Sequence, residues 1–280
     1  MNQCALKQFE ERNSIIDVTT VYSLTVAVFV GVAAGYLGSL MVLEKMALVG
    51  DALSHVALPG LAIGMTFNFN PYIGAFAFLF TSAIIIWHIQ RTTKISFEAL
   101  VGAMFTLALA IGILLYGDNL DALEAALFGD ISQVSLDGTI VAVTISVVAI
   151  ALTKVIYNKL VLAMISEDLA VSKGINIAKT NLLYLFLVSI VVAVGIQIVG
   201  TLLVGFLVIV PAIAAKTVSS NMGKYAVLSS VFGAVAAFSG VLLWSIFDFN
   251  VPFPGPMVVF AGIIIFAVSL IINWKYKLTT

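Results

Sequence analysis

Stretches of about 20 apolar residues recur along nearly the whole chain, and the segments between them carry most of its charge. A helix needs about 20 mostly apolar residues to cross about 30 Å of hydrocarbon. Such runs lie near residues 20–43, 46–66, 71–90, 98–116, 137–157, 181–198, 199–215, 225–247 and 257–274. The stretch from Asn181 to Ala215 holds no charge at all, and as one straight helix it would be about 52 Å long at 1.5 Å per residue. Splitting it near Val199-Gly200-Thr201 gives two spans and about nine in total; leaving it whole gives eight. The chain is 62% hydrophobic and 10% charged, whereas a soluble domain is about 25% charged. The expected architecture is an all-α, polytopic transmembrane helical bundle.

Lysine and arginine set the orientation of such a bundle. With the N-terminus outside and nine spans, the C-terminus lies inside. All 13 basic residues except Lys7 and Arg12 then fall on the inner side. Residues 1–18 are polar and lack the basic start and apolar centre of a signal peptide, so they are expected to form an outer segment. Residues 19–280 are expected to form a single transmembrane domain. Its longest inner loop, roughly Tyr157–Lys179, contains a short-helix signature near 165–175. Ser166 is a good N-cap, Glu167 and Asp168 sit in the first turn, and Lys173-Gly174 makes a stop. Such a helix is a candidate docking element for a cytoplasmic partner, or simply a solvated loop helix. The outer stretch 117–135 holds Asp118, Asp121, Glu124 and Asp130 without a base. It would attract cations, although basic residues kept on the inner side leave any outer loop acidic.

Composition excludes several classes. Thirteen basic against 14 acidic residues gives a net charge of −1, which is unsuited to a nucleic-acid binder. The single cysteine, Cys4, rules out a disulfide scaffold and a cysteine-built zinc or iron–sulfur site. The chain has no Gly-x4-Gly-Lys-Ser/Thr loop for ATP and no His-Glu-x2-His for a zinc protease. It reads as a transport pathway without its own motor, and not as an enzyme.

Ionisable groups inside a span are costly and default to function. The second run reads Met46-Ala-Leu-Val-Gly-Asp-Ala-Leu-Ser-His-Val-Ala-Leu-Pro-Gly60. Asp51 and His55, four apart, project from one helix face. A carboxylate and an imidazole can hold Mn²⁺, Zn²⁺ or Fe²⁺. Two ligands are too few for a tight site, but two copies across a two-fold axis would supply an N₂O₂ set. The alternative is a self-satisfied pair that locks helices together. Ser54 and Pro59 are candidate pathway residues; Pro59 frees a carbonyl and bends the helix. Gln197, near the broken region, and Asp248, at the outer end of a span, are further pathway candidates. His88 beside Trp87 and Arg91 reads as interfacial, and Glu98 as a helix-start acid. Gly31-x3-Gly35 and Gly60-x3-Gly64 read as close-packing signals.

The segment Met46–Gly60, with Gly-Asp-Ala-x-Ser-His-x3-Pro-Gly at its core, resembles the signature of the metal-ion ABC-3 permeases. Glu98–Gly102, Leu127–Asp130, Glu167–Gly174, Val199–Leu203 and Pro211-Ala212 resemble other stretches of that family, and the likeness covers nearly the whole chain after residue 20. After Asp248 several residues intervene before Pro254-Gly255, where the family has Asp-x-Pro-x-Gly. The resemblance implies the membrane subunit of an ATP-driven importer of manganese, zinc or iron in a prokaryotic inner membrane. It implies the type II importer fold, like the vitamin B12 permeases with fewer helices. It further implies a homodimer, two cytoplasmic ATPase subunits, an outer metal-binding protein and no permanently bound cofactor. Asp51 and His55 would form the in-membrane metal site, and Glu167, Asp168, Lys173 and Gly174 would belong to the segment coupling to the ATPase. A proton-coupled secondary transporter, with His55 titrating, is the alternative from the residues alone.

Overall fold

The computed structural model describes residues 18–44, 46–93, 95–117, 120–129, 134–246 and 253–279. Among the described residues the helices in chain order are α1 (Val18–Leu43), α2 (Ala47–Val56), α3 (Leu58–Thr66), α4 (Pro71–Thr92), α5 (Phe97–Tyr116), α6 (Leu120–Phe128), α7 (Leu136–Ile165), α8 (Glu167–Ser172), α9 (Ile177–Val199), α10 (Thr201–Val218), α11 (Met222–Ile246) and α12 (Gly255–Thr279). No strand occurs among the described residues. Seven helices, α1, α4, α5, α7, α9, α11 and α12, are long and apolar enough to cross a membrane. The other two apolar runs take different forms: 46–66 is the bent pair α2–α3, and 199–215 is the shorter helix α10.

In lipid the hydrophobic effect does not draw helices together, so close backbone approach through small residues does much of that work. α1 is the central post, with 72% of its most apolar window buried, against 28% for α5 and for α12. It packs on α7, α9, α10 and α11. A Cβ on Gly31 would lie 2.5 Å from the Gly233 carbonyl oxygen, and one on Gly35 would overlap the Ser229 carbonyl. The Ser229 hydroxyl then donates to the Gly35 carbonyl, fastening α1 to α11. The second small-residue motif works alike: a Cβ on Gly64 would lie 2.5 Å from Pro71 Cα of α4.

The uncharged run breaks at Gly200, whose φ of +75° favours glycine and whose Cβ would lie 2.5 Å from the Gly129 nitrogen. The run 46–66 bends at Ala57, which keeps helical dihedrals (φ −72°, ψ −24°): Pro59 has no N–H to give the His55 carbonyl, and Ala57 N–H turns to Ser54 O at 3.3 Å.

Two connections are more helical than the sequence reading has them. α7 continues through residues 158–165 to Ile165, since nothing in Asn-Lys-Leu-Val-Leu-Ala-Met-Ile breaks a helix. The acidic stretch 117–135 contains α6, which packs on α9 and α10 and ends at Gly129, φ +83°. Asp118 and Asp130 lie outside the described residues. The cap of α8 matches expectation: Ser166 Oγ accepts from Leu169 N–H at 3.2 Å, and Gly174 takes φ +74°.

At the end of α1, Glu44 packs close enough to the Tyr184 hydroxyl for the two to interact electrostatically, and that hydroxyl donates to the Leu37 carbonyl at 3.2 Å. Burial pushes the Glu44 carboxyl up to about 7. An acid whose folded value lies above its unfolded one favours the fold while protonated. That contribution is complete below about 4.5 and is lost as pH rises through about 7. In detergent, the melting temperature is expected to fall between those two pH values. Glu44→Gln should flatten the profile; an unchanged slope would count against this assignment.

Candidate metal site

α2 places Asp51 and His55 on one face, both half-buried. The His55 ring packs against Phe105 of α5, with centroids 5.3 Å apart and planes tilted by 58°. Its Nδ1 is buried and has no hydrogen-bond partner among the described residues. Buried ring nitrogens are normally paired, so this Nδ1 could take a ligand. Asp51 lies near enough for the two side chains to interact electrostatically, without a hydrogen bond to Nδ1.

Asp51 faces α10. A Cβ on Gly205 would lie 2.5 Å from Asp51 Cα and 2.9 Å from Oδ1, so only glycine lets α10 pass this closely. Gly50 faces Val208 and Ile209 of the same helix, so the residue numbers run in opposite senses and α2 and α10 are antiparallel. Thr201 lies one turn before Gly205 in α10. Its side chain is fully buried, and its hydroxyl has no partner among the described residues.

The other sequence candidates are spread around this pair. Ser54 is fully buried, and its hydroxyl donates to the Asp51 carbonyl at 2.6 Å. Pro59 is buried in the first turn of α3, against Gly112 of α5. Gln197 lines a separate cavity with Tyr72 and Asp137, to which neither Asp51 nor His55 contributes. Asp248 lies outside the described residues. His88 is exposed. Glu98 starts α5 beside its N-cap Ser96, whose Oγ accepts from Ala99 N–H at 3.4 Å. Glu167 shares a cleft with Trp87, Gln90 and Arg91, where Arg91 stacks on Trp87 at 5.0 Å and Trp87 Nε1 donates to the Ala178 carbonyl at 3.1 Å.

Among the described residues no group of three or more His, Cys, Asp or Glu is placed to hold a metal. Asp51 and His55 are the two candidate ligands that α2 brings to one face. Phe105 and Gly205 have no chemical signature in the sequence; only the packing of α2 against α5 and α10 brings them to His55 and Asp51.

A family model, the ABC 3 transport family, matches residues 17–273. The chain belongs to that family. It is 31% identical over 250 residues to the manganese transport system membrane protein MntC of Listeria monocytogenes, covering 89% of each chain. It is 27% identical over 241 residues to the high-affinity zinc uptake system membrane protein ZnuB of Buchnera aphidicola, covering 84% of this chain and 90% of that one. The solved structure of PsaBC from Streptococcus pneumoniae in complex with Fab superposes with a TM-score of 0.81 at 29% identity, over 94% of this chain and 96% of that one. With its seven membrane-length helices, this member of the ABC 3 family is a multi-pass cell-membrane protein.

Gly205→Ala is expected to push Asp51 aside and weaken Zn²⁺ or Mn²⁺ binding to the purified protein by about 10- to 100-fold, the usual effect of disturbing the support of a metal ligand. Titration with either ion would measure this. Unchanged affinity in a folded variant would separate Gly205 from the site.

Proposed function

We propose that this chain is the permease subunit of an ATP-driven importer of divalent manganese or zinc. The observation carrying this reading is the Asp51–His55 face of α2, where an uncommitted imidazole nitrogen sits one turn from a carboxylate beside a helix bend. Relatives named for manganese and zinc transport support the ion class. The two ligand types suit both ions. Iron is compatible with the same chemistry.

Nine crossings with the N-terminus outside follow if α2–α3 and α10 each cross once. The positive-inside distribution of Lys and Arg supports that count. Two copies meeting about a two-fold axis would place two carboxylates and two imidazoles around one ion, replacing the water it sheds on leaving an outer binding protein. α8, with its capped first turn and its cleft against Trp87 and Arg91, would receive the cytoplasmic ATPase. ATP binding there would move α7 and α9, which flank α8, and so move the packed helices that fix Asp51. Metal-loaded ligands in mid-membrane also fill the pathway, so selection and gating would reside in the same four side chains.

The experiment is uptake of labelled Mn²⁺ and Zn²⁺ by metal-starved cells that make this chain with its ATPase partner. Asp51→Ala and His55→Ala, at wild-type membrane abundance, are expected to abolish uptake. Retained uptake in both would return the pair to a structural role. Uptake that continues without the ATPase and follows the proton gradient would favour the secondary transporter.

A further inference from the structure

A cavity of about 900 Å³ opens between α4, α7 and α9, apart from the Asp51–His55 pair. Its volume falls in the range of ligand sites, about 300–1,000 Å³. Its two ends differ in chemistry. Asn70, Ser135, Asp137 and Gln197 form one end, where α4 and α7 begin and α9 finishes. Phe76, Ile145 and Phe186 line the other, and Phe186 stands edge-on to Phe76 and Phe80 with centroids 5.8 and 5.0 Å away. The eleven residues from Gln197 to Phe186 along α9 correspond to about 16 Å at 1.5 Å per residue. That is about half the 30 Å hydrocarbon thickness, or one leaflet.

The flank of the cavity is open to the side. Ile73 and Val141, on its edges, are 62% and 56% exposed on helices of membrane length. Among the described residues the polar end holds one acid, Asp137, in the first turn of α7, and no Lys or Arg lines the cavity. An anionic headgroup would be repelled by that carboxylate, whereas a primary ammonium would be attracted to it.

We infer that this cleft binds one membrane lipid with an amine headgroup, its acyl chain lying along α9 toward Phe186 and its ammonium against Asp137. The apolar wall contributes by contact area and is indifferent to headgroup; Asp137 supplies the selectivity. The inference does not rest on the transport reading, since it concerns a different face of the bundle.

The test uses the full chain extracted in detergent, washed free of bulk lipid and examined by native mass spectrometry after incubation with equimolar phosphatidylethanolamine and phosphatidylglycerol. The wild type is expected to retain one phosphatidylethanolamine per chain. Its preference over phosphatidylglycerol should be about two- to fivefold, the size of a partly exposed ion pair. Asp137→Asn should retain lipid but lose the preference. Val194→Trp, which fills the cleft from its α9 wall, should lose retention while its melting temperature stays near wild type. Wild type retaining no lipid, equal retention by Val194→Trp, a preference for phosphatidylglycerol, or disulfide cross-linking of Val141→Cys between two copies of the chain would each overturn the assignment.

Discussion

Inside a bilayer no water is available to satisfy a backbone N–H or C=O, so every departure from a continuous helix must be compensated within the protein. Two such places lie near Asp51 and His55, a proline bend at Ala57 and a break at Gly200. At Ala57, Pro59 removes a donor and the Ala57 N–H finds Ser54 O instead. At Gly200, the loop after α6 comes so near that a Cβ has no room. Both places lie beside the proposed site. The first follows His55 by two residues, and the second opens the helix whose Gly205 lies against Asp51. The rest of the bundle holds these two irregular places in register.

That register depends on small residues. Gly31 and Gly35 bring α11 onto α1, Gly38 brings α10 onto α1 at Val208, and Gly205 brings α10 onto α2. α10 is thus seated between the central post and α2, which carries Asp51 and His55, with backbone-to-backbone spacing on both sides. Side chains at these contacts would hold the helices apart and leave Asp51 and His55 on a mobile strut. Ligands on rigid elements are held more narrowly than ligands on loops, and selecting between ions of similar charge demands such narrow placement. α5 and α12 carry less of this burden and are mostly exposed.

Much of this was legible in the sequence, for identifiable physical reasons. Apolar length predicts the long helices because the membrane thickness requires it. Ser166, the acids after it and Gly174 predict α8 because capping is local chemistry. Gly200 predicts the split because an uncharged run of that length exceeds one crossing. Asp51 and His55 stand out because charge in mid-span is rare. What was not legible depends on other helices. Pro59 signals the bend, but the turn of the Ala57 N–H to Ser54 O is seen only in the structure. The extension of α7 to Ile165 and the helix α6 lie in polar or mixed segments where membrane length gives no guidance. Gly205 and Phe105 are ordinary residues in apolar runs and matter only for what they face. Glu44 looks like a loop charge beside Lys45 until α9 covers it.

The central claim is that the imidazole of His55 binds the transported ion, and the chain has only two histidines, His55 and His88. X-ray absorption of the Zn²⁺-loaded protein can see an imidazole by the scattering of its outer ring atoms. The account predicts a nitrogen and oxygen shell at about 2.0–2.2 Å, with an imidazole signature that persists in His88→Ala and disappears in His55→Ala. An imidazole signature that survives His55→Ala, or a sulfur shell at about 2.3 Å, would contradict it.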